Sequence, residues 1–235
     1  MGTDPEIETP LIGGWVTSGV VRVGETVRRP LRPNSPLVHR LLDHLEKAGF
    51  EASPRFLGID EQGREILTYI EGDAPSDCRS IIWSDEQLTA VAVLLRRFHD
   101  VTAGSVFASR AEVVCHHDFG PWNLVWRAEV PVGIIDFDNA APGQRLDDLG
   151  YAVWKHLNLG LVDLSPSQQA RRVQLMASNY GVPTDGKLLE AIDRAQGRMR
   201  RLISSAPAGI NRDEALSQSE RERDWMVENK SLLLG

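Results

Sequence analysis

The chain has 235 residues, of which 42% are hydrophobic and 25% charged, enough for one large globular domain or two small lobes. The formal net charge of −7 argues against a nucleic-acid partner, because such partners require a basic face on the protein. The N-terminus lacks a secretory pattern, no apolar run reaches the roughly 20 residues of a membrane span, and two cysteines suit a reducing compartment. We therefore expect a cytoplasmic protein that binds neither nucleic acid nor membrane.

The N-terminal part of the chain has the pattern of short strands around one helix. Residues 20–29 predict a hairpin with a turn at Gly24-Glu25, and residues 55–70 predict a second hairpin. Between them, Ser35 is the predicted cap of an amphipathic helix that Gly49 ends. Residues 1–70 are thus predicted to form a β-rich N-terminal lobe.

The remainder of the chain is predominantly helical in pattern. Ser84 and Gln87 form the capping box of a long amphipathic helix. Further helices are predicted near residues 146–158, 166–180, 187–204 and 213–230. The predicted fold class is α+β, with residues 71–235 as a larger, mostly helical C-terminal lobe and a hinge near residues 68–74.

One β-like segment, residues 113–143, carries the polar groups of greatest chemical interest. If strands at 124–126 and 132–135 pair about a turn near Glu129-Val130-Pro131, Asn123 faces Asp136 at roughly 5 Å, and Asp118 lies on the loop just before. Two carboxylates and an amide oxygen suit Mg²⁺, which takes the rest of its ligands from water and substrate phosphates. The spacing therefore suggests phosphoryl transfer.

The same residues match a known pattern. His116, Asp118 and Asn123 in "HHDFGPWN", followed by Asp136 in "IIDFD", follow the catalytic-loop and metal-aspartate order of protein kinases. The variant here resembles the aminoglycoside phosphotransferase and choline kinase-like superfamily, as do the flanking segments "LLRRFHD" and "DLGYAVW". The resemblance implies a protein-kinase-like two-lobed fold and transfer of the γ-phosphoryl group of ATP or GTP to a hydroxyl of a small molecule.

The resemblance also implies roles for the four motif residues. Asp118 is the base that orients the acceptor hydroxyl, and His116 supports the catalytic loop. Asn123 and Asp136 hold Mg²⁺.

On the nucleotide side, the resemblance makes Thr68, Tyr69 and Ile70 the adenine-contacting hinge, acting mainly through their backbone. Gly13 and Gly14 fall where a phosphate-covering turn would lie. Where kinases have a lysine on the third strand, this chain offers Arg28 and Arg29, and we favour Arg28 as the phosphate ligand.

The helix that should supply the partner glutamate of that cation has Val38 or His39 near the expected place. The sequence therefore shows no glutamate at the helix position that forms this ion pair in kinases. This departure motivates an alternative, a kinase-like binding module with little or no turnover. A further alternative is a metal-dependent phosphohydrolase, suggested by "FHD" at 98–100 and "HHD" at 116–118, although no obvious further ligand histidines accompany them.

The sequence indicates the acceptor only by its class, and it does not indicate the oligomeric state. Six acidic residues between 118 and 148, against two arginines, suggest a cleft that tolerates a cationic or polyhydroxy substrate such as an aminoglycoside. Four arginines at helical spacing, Arg194, Arg198, Arg200 and Arg201, predict a solvated basic helix face. His117 is expected to be a solvated loop histidine.

Overall fold

A computed structural model of the protein describes residues 7–11, 19–205 and 210–234, and of residues 210 and 211 only the backbone. The strands are β1 Glu8–Pro10, β2 Val21–Val23, β3 Thr26–Pro30, β4 Phe56–Ile59, β5 Arg64–Thr68, β6 Val113–Cys115, β7 Leu124–Arg127, β8 Val130–Ile134 and β9 Ala141–Gly143. The helices are α1 Ser35–Lys47, α2 Asp85–Thr102, α3 Arg145–Leu157, α4 Pro166–Tyr180, α5 Gly186–Ser205, α6 Ile210–Glu228 and α7 Lys230–Leu234.

Five antiparallel strands form one sheet in the order β1-β2-β3-β5-β4. Both hairpins predicted in the N-terminal part are present, and β1 is an additional edge strand that the sequence pattern did not indicate. In the β3–β5 pair Arg28 lies opposite Ile66, and Arg29 lies opposite Glu65. This register decides which arginine faces inward, because neighbouring side chains point to opposite faces of a strand.

Helix α1 is confirmed, but its N-cap is Asn34 and not Ser35. The Ser35 hydroxyl instead accepts a hydrogen bond from the backbone N–H of Arg32. The Asn34 side chain makes no cap bond and donates to the carbonyl oxygen of Asp138. The apolar face of α1 is buried, through Val38, Leu41, Leu42 and Leu45.

Strands β7 and β8 form the predicted hairpin over the motif region. Ala128 and Glu129 both have positive φ, 46° and 66°, as the two central positions of a type I′ turn require. Two backbone hydrogen bonds between Asp73 and Trp126 attach residues 72–73 to β7. Gly72 is required there, since a Cβ would lie 2.4 Å from the Trp126 carbonyl oxygen.

The helical part follows the predicted pattern closely. The capping box of Ser84 and Gln87 is present on α2, and α3, α4 and α5 end within two residues of their predicted bounds. The last predicted helix is two helices, α6 and α7. Strands β6 and β9 pair antiparallel with each other.

By contacts, the chain divides into two compact units. The first comprises residues 1–76 and 122–140, and the second comprises residues 77–121 and 141–235. The first is β-rich and the second mostly helical, so the α+β class is confirmed, while the lobe boundary at residue 70 stays a prediction. In the described part of the chain, no helix is long and apolar enough to cross a membrane.

Candidate active site

The first unit contains a cavity of about 430 Å³ with largely apolar walls. The walls come from the sheet, from α1, from the segment 68–74 and from the hairpin β7–β8 with the residues next to it. Its apolar lining includes Leu11, Val20, Val27, Val38, Leu42, Leu67, Ile70, Val125, Ile135 and Phe137. Its polar lining includes Arg29, Thr68, Tyr69, Asp73, Asn123 and Asp136. An apolar cleft of this size with few convergent polar groups is typical of a small-ligand site.

Arg29 is the cation of this cavity. Only 7% of the residue is exposed, and its Nε lies 2.6 Å from Oε1 of the fully buried Glu65. Its two terminal nitrogens lie 2.7 Å from Asp138 Oδ1 and 3.4 Å from Asp136 Oδ1. Burial acts to lower the pKa of Arg29, but the charges of Glu65 and Asp138 outweigh it and raise that pKa above its ordinary value.

Glu65 is held from its other side by α1. His39 Nε2 lies 2.6 Å from Glu65 Oε2, and its ring stacks on Phe56 with centroids 3.6 Å apart. Arg29 therefore has a glutamate partner, as the cation on the third strand of kinases does, and His39 bonds the same glutamate. The glutamate comes from β5, and a histidine stands at the helix position.

Arg28 lies on the opposite face of β3 and does not line the cavity. Its guanidinium donates to the Thr26 hydroxyl and lies 3.8 Å from Asp60. The reason is the register given above, which places Arg29 and not Arg28 inward. The structure therefore places the cation one residue from the position favoured by the sequence.

Asn123 and Asp136 both line the cavity. The backbone N–H of Ile135 donates to the Asn123 carbonyl at 2.9 Å, so Asn123 pairs with Ile135 and not with Asp136. The predicted pairing of Asn123 with Asp136 is therefore wrong by one residue, and Asp136 is the next residue along. Asp136 has the left-handed conformation, φ 63° and ψ 62°, which turns the chain after β8. A buried amide and a carboxylate that line the same cavity offer oxygen donors that suit a hard divalent cation, so these two residues fit Mg²⁺.

The predicted hinge residues Thr68, Tyr69 and Ile70 also line the cavity. The backbone N–H of Thr68 donates to Arg55, and that of Tyr69 donates to Glu25. Ile70 packs against Gly133, where a Cβ would lie 2.7 Å from its Cδ1. Gly13 and Gly14, predicted to cover the phosphates, lie outside the described residues.

Asp118 lies in the second unit, on the loop after β6. The hydroxyl of Tyr151 donates to its Oδ1 at 2.6 Å. Burial and the charge of Asp118 raise the pKa of Tyr151 above its ordinary value, so the phenol stays protonated and remains the donor. The bond fixes the orientation of the Asp118 carboxylate.

Asp148 organises the backbone of this loop, a role the sequence reasoning missed. Its carboxylate accepts the N–H of His116 at 2.5 Å and that of His117 at 2.8 Å, and His99 Nε2 lies 3.1 Å away. Burial acts to raise the pKa of Asp148, but the hydrogen bond from His99 and the neighbouring N–H groups hold it below its ordinary value. The predicted supporting residue, His116, is fully buried in this arrangement.

His117 is not the solvated histidine that the sequence predicted. It is half-buried, and its Nδ1 and carbonyl oxygen lie 3.4 and 3.5 Å from the guanidinium of Arg198 on α5. Burial, together with the charge of Arg198, lowers the pKa of His117. Arg198 also lies over the ring of Tyr151, 5.9 Å from its centroid.

These features define a class, the kinase-like two-lobed α+β proteins. Residues 103–197 match the model of the phosphotransferase enzyme family. The trifolitoxin immunity protein of Rhizobium leguminosarum bv. trifolii is 35% identical over 198 residues, 74% of each chain. The chain belongs to the phosphotransferase enzyme family, which confirms the resemblance drawn from the motifs.

Solved structures share the fold at low sequence identity. A Ralstonia eutropha JMP134 protein classed with the aminoglycoside phosphotransferases has a TM-score of 0.63 at 13% identity, over 97% of this chain and 94% of that one. A microcompartment-associated aminopropanol kinase has a TM-score of 0.60 at 13% identity, over 92% and 90%. A spectinomycin phosphotransferase in complex with ADP and spectinomycin has a TM-score of 0.55 at 12% identity, over 91% and 87%.

Proposed function

We propose that the protein transfers the γ-phosphoryl group of ATP, or GTP, to a hydroxyl of a small molecule. The observation that carries the proposal is the cavity of the first unit, in which Arg29, Asn123 and Asp136 share one apolar site. An adenine or guanine ring needs apolar walls, and a triphosphate needs cations at its charged end. The cavity offers both.

On the nucleotide side, the base is bound along residues 68–70. The N–H groups of Thr68 and Tyr69 are already bonded, so we assign the contact with the base to Ile70. Arg29, held by Glu65, grips the phosphates as a planar fork. Arg28 has no part in this assignment, since it bonds Thr26 and Asp60 instead.

Asn123 and Asp136 would hold Mg²⁺, which when bound neutralises phosphate charge. The residues of the chain then do the remaining work. Asp118, oriented by Tyr151, accepts the proton of the acceptor hydroxyl. The acceptor oxygen forms a bond to the γ-phosphorus as the bond from that phosphorus to the bridging oxygen of the β-phosphate breaks, and the nucleoside diphosphate leaves.

The test is a product-mass screen of the purified protein with Mg·ATP and Mg·GTP against pooled hydroxylated amines, acids and sugars. We expect one phosphorylated product class, and we expect Asp118→Asn to lower its formation by about 10²–10⁴-fold, the usual worth of a positioned base. Asp163→Asn, an exposed loop carboxylate of the same unit, is the matched control and should keep full activity. Unchanged turnover in a folded Asp118→Asn protein would remove the base from this assignment.

A second candidate function is immunity to a toxin, favoured by the 35% identity to the trifolitoxin immunity protein. Immunity by phosphorylation and immunity by binding alone make different demands on Asp118. Expression of the parent and of Asp118→Asn in a trifolitoxin-sensitive strain separates them. Protection that persists in the variant favours the binding module, and protection that is lost favours turnover.

A further inference from the structure

A second cavity lies within the helical unit, between α5 and α6 and beside the start of α3. Its volume is about 890 Å³. Five arginines line it against two aspartates. They include all four arginines on α5 whose spacing predicted a solvated basic face, and three of these, Arg194, Arg198 and Arg201, repeat at the spacing of one helix face.

Three of the five arginines are neutralised by neighbours. Arg194 lies 3.0 Å from Asp147, Arg200 lies 2.9 Å from Glu220, and Arg223 lies 3.4 Å from Asp193. Within residues 19–205 and 210–234, neither Arg198 nor Arg201 has an acidic partner. The cavity therefore carries uncompensated positive charge.

Gln196 gives an independent indication of a ligand. It lines the same cavity with 2% of its surface exposed, and neither its Nε2 nor its Oε1 has a hydrogen-bond partner among the described residues. A buried amide left without partners is costly, so most such groups in folded proteins are satisfied. A bound molecule that accepts from the nitrogen and donates to the oxygen would satisfy both atoms, as a hydroxylated ligand can.

Arg198 connects this cavity to the catalytic loop. It lines the cavity, lies within 3.4 Å of His117, and lies over Tyr151, whose hydroxyl donates to Asp118. A ligand whose negative group is gripped by Arg198 is thus next to the loop that carries the proposed base. A planar guanidinium favours a carboxylate or a phosphate, which it binds through two parallel hydrogen bonds.

We propose that the α5–α6 cavity is the acceptor site and that the acceptor is an anionic hydroxylated small molecule, bound by Arg198 and Arg201 through a carboxylate or phosphate group and by Gln196 through a hydroxyl. The proposal rests on the proposed phosphotransferase function and names its acceptor class. It reverses the expectation of a cationic substrate, which was based on acidic residues between 118 and 148. Two of those, Asp147 and Asp148, are used internally, by Arg194 and by the catalytic loop.

The test uses the full chain and four hydroxylated six-carbon probes, two of them anionic, one neutral and one cationic. They are gluconate, glucose 6-phosphate, glucose and glucosamine, titrated at about 150 mM salt, where weak surface attraction is screened. We expect at least one of the two anions to bind saturably, with a Kd at least about 10-fold below those of glucose and glucosamine. The first two probes distinguish a carboxylate from a phosphate as the recognised group.

Variants then assign the binding to the cavity. Arg198→Gln should weaken binding of the anion by about 10-fold or more, the worth of a charge-assisted hydrogen bond. Arg221→Gln is the matched control, because Arg221 is an exposed arginine of α6 that bonds Ser217 and does not line the cavity. Gln196→Leu should weaken binding while raising the Tm of the free protein by about 2–4 °C, since it removes a buried amide that lacks partners. A residue with only a structural role would not combine these two effects.

Several outcomes overturn the proposal: no saturable binding of either anion, tighter binding of glucosamine than of both anions, or equal weakening by Arg198→Gln and Arg221→Gln. Its failure is distinguishable from that of the phosphotransferase function. Phosphorylation of glucosamine without Arg198 dependence would refute the anionic acceptor and leave the phosphotransferase standing. Anion binding that requires Arg198, without phosphoryl transfer to any acceptor, would support the site and refute the transferase.

Discussion

Under the proposed function, Arg29 has two tasks, one structural and one chemical. It compensates the charge of Glu65, which is fully buried, and it presents its guanidinium to the cavity of the first unit. The histidine on α1 completes the set by bonding the other oxygen of Glu65. The cation of this site is therefore fixed before a nucleotide arrives, which reduces the cost of ordering it on binding.

The two tasks can be separated by substitution. Arg29→Ala leaves Glu65 buried without its cation, so we expect a loss of about 3–5 kcal/mol in unfolding free energy. Arg29→Lys keeps the charge and should fold, but it should weaken triphosphate binding far more than adenosine binding, because a point charge replaces the fork. Calorimetric titration of both ligands measures this difference.

The control is Arg28→Ala, on the other face of the same strand. It should bind triphosphate like the parent, since Arg28 contacts Thr26 and Asp60 away from the cavity. If Arg28→Ala lost triphosphate affinity while Arg29→Lys kept it, the assignment of the phosphate cation to Arg29 would be wrong.

Asp136 is the charged member of the proposed metal pair. Without its carboxylate, Asn123 alone offers a neutral oxygen, so Asp136→Ala should abolish the dependence of nucleotide binding on Mg²⁺. Asn123→Ala should weaken that dependence more mildly. Titration of ATP with and without Mg²⁺ tests both variants. Equal affinity of the parent under both conditions, or tight Zn²⁺ binding through its histidines, would favour the phosphohydrolase.

At the level of elements, the attachment of segment 72–73 to β7 depends on a single glycine. Gly72 has φ of 140°, and an alanine Cβ would meet the Trp126 carbonyl oxygen at 2.4 Å. We expect Gly72→Ala to break the two Asp73–Trp126 hydrogen bonds and to cost about 1–3 kcal/mol from backbone strain alone, with further loss from the lost bonds. The urea midpoint of unfolding measures the cost.

Gly63 in the β4–β5 turn is the matched control. It also has positive φ, 74°, but among the described residues, its two chain neighbours aside, none has a heavy atom within 4 Å of an added Cβ. Gly63→Ala should therefore cost only the conformational penalty of about 1–2 kcal/mol. An equal effect of the two substitutions would mean that contact with Trp126 is unimportant to the hairpin.

The elements themselves were predictable because local signals agree with the fold. The capping residues of α2 and the apolar face of α1 each specify one local structure, whereas the β7–β8 turn lies at Ala128-Glu129, earlier in the chain than predicted. Strand register was not predictable in the same way, because a shift of one residue exchanges Arg28 for Arg29 without altering the local pattern. Glu65 was missed for a related reason, since its partner lies on another strand and no spacing along the chain indicates it.

On the scale of the whole molecule, the motif residues were identified from their order along the chain, but their supporting residues were not. Asp148 follows the loop of His116 and Asp118 by some thirty residues, and its bonds to His116 and His117 arise only when α3 packs beside β6. The basic face of α5 is a similar case. Its spacing was evident from the sequence, but the cavity that it lines exists only because α6 packs against α5.

The stability of the molecule as a whole should depend on a buried histidine of α3. His156 is fully buried, its Nδ1 lies 2.9 Å from the Ala152 carbonyl, and burial lowers its pKa to about 4. In the unfolded chain a histidine has a pKa of about 6.5. Between these two values the unfolded state binds more protons than the folded state, so acid favours unfolding in this window.

We therefore expect the unfolding free energy of the parent to fall as the pH drops from about 6.5 to about 4, with His156 contributing up to about 3 kcal/mol of the loss. His156→Leu should flatten this part of the profile, because leucine fills a similar volume and binds no proton. Urea unfolding at a series of pH values measures the slope, and the profiles of parent and variant should run parallel above about pH 7, where a histidine is neutral in both states. Asp148 acts in a separate pH window. Its pKa is lower in the folded state than in the unfolded state, so the stability that it contributes is lost only as the pH falls below about 3.9, the unfolded value. An unchanged slope between pH 6.5 and 4 in His156→Leu would assign the acid sensitivity to other groups.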